Sequence, residues 1–175
     1  AVCPMPNLNP VPDSMANLQV ELDAIKKDAK NIASFTVRAG VEICSKLREL
    51  TDSLLYLKWP NDIYDSNDKK LAGMIAQMFI SNNENPHYIV FGVGLNIDLT
   101  NCQLPEDISK IANCLKSVSE KDIDVSECVA LIADAVHNTA EFFNKENRVD
   151  TLQSDFDKYD TLKGRSISAM IGDKR

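Results

Sequence analysis

Lys70, Asp62, Asn61 and Asn96 carry the groups in this chain best suited to handling a small anion. They lie in three short stretches: Lys58-Trp59-Pro60-Asn61-Asp62, Lys70-Leu71-Ala72-Gly73, and Gly92-Val93-Gly94-Leu95-Asn96. A lysine supplies a mobile point charge. Side-chain amides orient phosphate or carboxylate oxygens with a donor and an acceptor on one group. Glycines, here Gly73 and Gly94, let a ligand approach the backbone closely. Singly, each residue has an ordinary structural reading: Asn and Asp form turns after strands, and a lysine opening a strand is usually a solvated end. Their interest lies in whether the fold brings them together.

The elements around them say that it should. Within 56–98, three apolar runs are separated by two polar connections. Short apolar runs bounded by Pro, Asn, Asp and Gly read as strands, and short connections make consecutive strands antiparallel. The first strand runs over 54–59, and Pro60, which cannot donate to a ladder, marks its end or an edge. The second runs over 70–80, and the third follows a turn at 81–86. The end of strand one, the start of strand two and the end of strand three then share one edge of the sheet. Two other readings of these residues fail. Asp65-Ser66-Asn67-Asp68 has the acidic spacing of a calcium loop but lacks its glycine and closing glutamate. Gly92-Val93-Gly94 opens like a dinucleotide fingerprint, but the third glycine would fall at Ile97, where no helix begins.

The flanking chain supplies helices. Ile32, Phe35, Ala39, Ile43, Leu47 and Leu50 recur at three- and four-residue steps and predict an amphipathic helix over 31–50 that packs on the sheet. Residues 17–23 alternate with period two, as a short half-buried strand does. Four prolines, Pro4, Pro6, Pro10 and Pro12, make 1–15 an extended or disordered lead-in. A helix is expected over 105–118, with Ile108, Ile111, Ala112, Leu115 and Val118 on one face. Asp124-x-x-Glu127 resembles a capping box ahead of a helix bearing Val125, Val129, Ile132, Val136, Ala140 and Phe143. Leu152, Phe156 and Tyr159 continue at helical spacing, Gly164 ends that helix, and 165–171 reads as a strand. The fold class is therefore α/β (α+β): a mixed, largely antiparallel sheet flanked by helices.

Composition narrows the function. The chain has 175 residues, 44% hydrophobic and 26% charged, which fits one globular domain with a real core. A net charge of −7 argues against a nucleic-acid surface. No run approaches the ~18 apolar residues that span a bilayer. The five cysteines, Cys3, Cys44, Cys102, Cys114 and Cys128, lack C-x-x-C spacing and read as reduced thiols. His87 and His137 are far apart without accompanying ligands, so a zinc site is not expected. A cytoplasmic location is expected.

The three stretches, in this order and at this spacing, resemble the central domain of biotin protein ligases. The likeness is strongest over 56–98 and looser from about Ile32 to the end of the chain. It implies a fold related to class II aminoacyl-tRNA synthetases, followed by a small SH3-like barrel. It implies an enzyme that uses ATP and Mg²⁺ to activate biotin as biotinyl-5'-AMP and then transfers it to a lysine of a biotin carboxyl carrier domain. By that resemblance Lys70 is the catalytic lysine, contacting the biotin carboxylate and the adenylate phosphate. Trp59, Gly73 and Gly94 join it around biotin and the adenylate. Lys58, Asn61, Asp62 and Asn96 lie on the ATP side, with Asp62 a ligand for Mg²⁺ directly or through water. The chain departs from the family in three ways. It has no Gly-Arg-Gly-Arg loop ahead of its first long helix, Gln77 stands where many members place a glutamate, and 164–175 holds only the start of an SH3-like domain. A partial catalytic domain over 16–163, cut at both ends and possessing reduced activity or none, is the expectation. A lipoate or octanoate transferase on the same fold, and a non-catalytic paralogue that binds a ligand or a protein, stand as alternatives.

Overall fold

The computed structural model describes residues 15–22, 30–79, 88–145 and 152–168, with side chains over 33–77, 79, 89–143 and 152–168. Five antiparallel strands form one sheet in the order β1-β5-β4-β3-β2. They are β1 (Met15–Leu22), β2 (Leu55–Lys58), β3 (Asp62–Asp65), β4 (Lys70–Phe79) and β5 (Tyr88–Asn96). The expected antiparallel arrangement holds, and the strand expected over 17–23 is β1. The only parallel pairings among the described residues are two isolated bridges, Leu57 with Asp160 and Lys70 with Ala112.

One face of this sheet carries the core. Leu55, Leu57, Ile63, Ala72, Met74, Ile89, Phe91, Val93 and Leu95 are buried, at alternate positions wherever the strand is regular. Helix α1 (Lys30–Thr51) lies against them with Phe35, Ala39, Ile43 and Leu47, the stripe its spacing predicts. Burying each such large side chain contributes about 1.5–3 kcal/mol before chain entropy is counted. Phe35 meets the Phe91 ring edge-on at 5.5 Å, and Phe143 lies 5.7 Å from it. The helix comes so close that a Cβ on Gly40 would stand 3.1 Å from Met74 Cε and 3.3 Å from Leu57 Cδ2. A second long helix, α4 (Val125–Lys145), adds Cys128, Ile132, Ala135 and Val136 to the same core. Asp124 caps it, its Oδ1 accepting the backbone N–H of Ser126 at 2.6 Å and of Glu127 at 3.1 Å.

Three expectations fail. The first apolar run is two strands, not one. β2 and β3 pair as a hairpin across the turn Trp59-Pro60-Asn61, where the Trp59–Pro60 peptide is cis. β3 is only four residues long with an aspartate at each end, so its composition looks like a turn. The helix expected over 105–118 is interrupted. α2 (Glu106–Ile111) ends at Ala112, which is extended at φ −103° and ψ 150°, and α3 (Leu115–Val118) begins afresh. Ala112 there bridges to Lys70, and Asn113 N–H donates to Lys70 C=O at 2.9 Å. This tertiary pairing overrides the helical spacing. α2 buries nothing, and Ile108 and Ile111 are exposed rather than core. Finally, α5 (Leu152–Phe156) stops well before Gly164. Tyr159 C=O accepts Leu57 N–H at 2.8 Å, and Thr161 N–H donates to Leu57 C=O at 2.9 Å, so the chain turns to cover the β2 edge instead. Gly164 adopts φ +78° in a later turn, and 165–168 are neither helix nor strand.

The lead-in at 1–14, the turn at 81–86, His87, Cys3 and residues 169–171 of the expected last strand lie outside the described residues. Cys44, Cys102, Cys114 and Cys128 form no disulfide. Among the described residues no helix is long and apolar enough to cross a membrane, and no cluster of three His, Cys, Asp or Glu side chains forms a metal cage.

Candidate functional site

The face of the sheet turned away from α1 holds the site. Strand register lines up one residue from each strand across it: Lys58, Asp62, Gly73, Gly94 and Asn17. Directly opposed residues in a sheet project to the same side. The two central strands therefore meet at a pair of glycines, and the charged residues stand to one side of them. Next along β4, Ile75 is 70% exposed on this face.

Lys70 opens β4, three residues before Gly73, and a shift in register beside Tyr64 sets it apart from the row. Its ammonium reaches forward to Asp62, with Nζ 2.7 Å from Oδ1. The pair lies over Gly73: a Cβ there would be 3.1 Å from Lys70 Nζ and 3.3 Å from Asp62 Oδ1. Glycine at this position makes room for the ion pair. The Lys70 side chain is 40% exposed, so its charge remains available to an incoming anion. A partly solvated pair of this kind is weak as a stabiliser of the fold.

Asn61 is fixed twice to β4. Its backbone C=O accepts Met74 N–H at 2.9 Å, and its side-chain Nδ2 donates to Met74 C=O. The hairpin turn is thus tied to β4, which sets Asp62 at its place in the row. Asn96, at the end of β5, donates from Nδ2 to Asn113 C=O at 3.0 Å. Asn113 in turn donates from Nδ2 to Asp65 Oδ2 at 2.7 Å. Sequence reading assigned Asp65 only to a turn and set Asn113 inside a helix, so neither stood out; no local signal marks them, because their partners are 48 and 17 residues away.

A scan against family models matches residues 9–96, half of the chain, to the biotin/lipoate A/B protein ligase family. The chain belongs to this family. The bifunctional ligase/repressor BirA of Escherichia coli (strain K12) is 26% identical over 135 residues, 77% of this chain and 40% of that protein. The chain thus spans well under half the length of that relative. Biotin protein ligase from Aquifex aeolicus, solved in complex with biotin and ATP, superposes with a TM-score of 0.66 at 23% identity, over 83% of this chain and 59% of that one. A biotin protein ligase-like protein of unknown function from Silicibacter sp. TM1040 gives a TM-score of 0.72 at 12% identity, covering 91% of this chain and 68% of that one. At these identities the structural likeness establishes the ligase fold.

Of the residues singled out in the family motifs, the structure brings together Lys70, Asp62, Gly73 and Gly94, with Asn61 and Asn96 at their margins. Lys58 is the row partner of Asp62, but its Nζ sits 4.7 Å from the centre of the Tyr64 ring, a cation–π contact. Trp59 lies apart. It is 65% exposed and lines a cavity of about 630 Å³ with Ala33, Val37, Leu152, Phe156 and Ile167, among the helices and not on the glycine row. For Mg²⁺ the chain offers the Asp62 carboxylate, with one oxygen held by Lys70. Mg²⁺ commonly takes one or two carboxylates and completes its shell from substrate phosphates and water. The donor set fits an ion carried by a nucleotide and does not form a cage of its own.

Proposed function

We propose that this chain is the core of a biotin–protein ligase, forming biotinyl-5'-AMP from biotin and ATP and passing biotin to a lysine of a biotin carboxyl carrier domain. The observation that carries this reading is the Lys70–Asp62 pair held over Gly73 in a member of the biotin/lipoate ligase family. In the first step a biotin carboxylate oxygen attacks the α-phosphorus of ATP, the α–β P–O bond breaks, and pyrophosphate leaves. In the second, the acceptor amine attacks the acyl carbon, the acyl–phosphate C–O bond breaks, AMP leaves, and the amine gives up a proton. Neither step needs a covalent bond to the protein, so alignment and charge stabilisation are its work.

Lys70 turns from Asp62 toward the carboxylate and the phosphate oxygens and offsets the charge where they approach each other. Asp62 holds the ammonium in place when no ligand is bound and would take Mg²⁺, which would neutralise phosphate charge. Asn61 and Asn96 border the nucleotide end, and Lys58 adds positive charge to that side of the row. Gly73 and Gly94 leave the sheet bare beneath the adenylate. Trp59 is assigned by family resemblance alone, and its cavity among the helices does not support an adenylate contact. A cytoplasmic setting goes with these substrates and with the four undisulfided cysteines.

A lipoate-activating enzyme is the second reading, favoured by the family model's own breadth, which takes in both acids. Calorimetric titration with non-hydrolysable biotinyl- and lipoyl-adenylate analogues separates the two. Tighter binding of the biotinyl analogue, weakened but still measurable in Lys70→Ala, is the expected result. Preference for the lipoyl analogue would move the chain to the second reading, and binding unaffected by Lys70→Ala would remove Lys70 from the site.

A further inference from the structure

Asp65 and Asn113 lie behind the candidate site and are its most heavily cross-linked residues. Asp65 ends β3 and is buried to 1% exposure. Its Oδ1 accepts the backbone N–H of Asn67 at 2.8 Å and of Lys69 at 2.9 Å, and its Oδ2 accepts Asn113 Nδ2 at 2.7 Å. Its backbone N–H also donates to Lys69 C=O at 2.9 Å. Asn113 donates its backbone N–H to Lys70 C=O at 2.9 Å, accepts Asn96 Nδ2 on its own C=O at 3.0 Å, and accepts Cys114 N–H on Oδ1 at 2.9 Å. The peptides on either side of the Lys70 Cα are therefore both tied down, one through Lys69 and one through Lys70 C=O. The same pair fixes the Asn96 amide.

A buried carboxylate needs its oxygens satisfied, or it costs more than it contributes. Asp65 meets that need with three N–H donors and no cation, so the arrangement is a directional lock and not a charge pair. It also explains the break between α2 and α3. Continuing the helix through Asn113 would withdraw the N–H, the C=O and the side chain that hold Lys70, Asn96 and Asp65.

We propose that Asp65 and Asn113 are positioning residues, a clamp that sets the Lys70 side chain over Gly73 and aims the Asn96 amide at the same ledge. The proposal rests on the assignment of the ligand site to Lys70 and goes beyond it, since neither clamp residue touches the ligand. Asn113→Ala and Asp65→Asn each break the side-chain link between the two residues while the backbone bonds of residue 113 to Lys70 and Asn96 remain possible, and the exchange Asp65→Asn with Asn113→Asp restores that link. In the exchange the amide at 65 donates to the carboxylate at 113, and every other acceptor is kept.

The test is calorimetric affinity of the 175-residue chain for a non-hydrolysable biotinyl-adenylate analogue, beside the NMR position of the Lys70 ε-methylene in the ligand-free protein. Asn113→Ala should weaken binding by about tenfold, the scale of one lost hydrogen bond to a charged group. It should weaken binding by less than about twofold when Lys70→Ala is already present, because residues acting through one another are not additive. The exchange should recover the affinity and return the Lys70 resonance to its original position. Equal losses in both backgrounds, or a lower melting temperature with affinity unchanged, would reduce the pair to a structural support. If the unmodified chain binds no analogue, the ligase reading falls. The clamp is then judged on the ligand-free resonance: displacement in Asn113→Ala with recovery in the exchange sustains it, and an unmoved Lys70 overturns it.

Discussion

Lys70 and Gly73 act as one device. The lysine is usable because its neighbour has no side chain, and the glycine is needed because the lysine folds over it. Gly73→Ala would put a methyl group 3.1 Å from Lys70 Nζ, and the flexible end of the lysine would yield before the strand did. Weaker binding of the adenylate analogue with little change in melting temperature is the expected result; calorimetry and a thermal melt read the two separately. Lys70→Ala should likewise abolish adenylate formation in a chain with full activity while leaving the fold intact, as pyrophosphate release and circular dichroism would report. The thiols give a check on the core. Burial pushes the Cys44 thiol up to about 12 and that of Cys128 up to about 11. Neither should react with iodoacetamide in the native protein near neutral pH, and mass spectrometry before and after denaturation measures it.

At this scale the sequence was informative where chemistry is local. Lys70, Asp62, Asn61 and Gly73 announce themselves by type and spacing, but the three-strand meander expected to gather them is not the one found: β3 intervenes, Lys70 pairs with Tyr64 at the other end of β3 from Asp62, and only the length of the lysine side chain joins the two. Asp65 and Asn113 do not announce themselves. A carboxylate in a turn and an asparagine in a helical pattern look ordinary until the sheet brings them to 2.7 Å.

At the scale of elements, periodicity succeeded where one element faces one surface. α1 and α4 bury the middle of their expected stripes, Phe35, Ala39, Ile43 and Leu47 in one and Ile132, Val136 and Phe143 in the other, while Val125 at the start of α4 is exposed. Ile132→Ala in α4 should cost about 2–5 kcal/mol, the usual loss for a fully buried aliphatic side chain, seen as a lower urea midpoint. Periodicity failed over 105–118, where two exposed isoleucines happened to fall in step with the buried Leu115. It failed again over 56–65, where a hairpin turn built on Pro60 hides inside one apparent strand. In the first place a pairing with a distant segment, Ala112 with Lys70, decided the outcome, and in the second a tight local turn did; apolar spacing along the chain records neither.

For the molecule as a whole, an ion-pair cluster joins α5 to α1. Asp155 accepts Arg38 Nη1 at 2.9 Å and Lys158 Nζ at 2.8 Å, closing the last described helix onto the first. The Lys158 hydrogen bond, with further help from Arg38, holds the Asp155 carboxyl below the usual carboxylate range. A depressed carboxylate contributes stability above its unfolded pKa and loses it as pH falls through the folded one. Asp155→Asn should therefore lower the urea midpoint at neutral pH, and the difference should shrink as pH falls below the usual carboxylate range.

The paired glycines of β4 and β5 also give the sheet a measure of length. Strands lie about 4.8 Å apart, so Asp62 on β3 and Asn17 on β1 stand about 14 Å apart across the two glycines, with the Lys70–Asp62 pair over the nearer one. Under the proposed function, a guest with an anionic head and a slender body would lie with its head by Lys70 and its body crossing the strands toward β1. On that reading the sheet would select by shape, since a branched body would strike backbone that has no side chain to move aside.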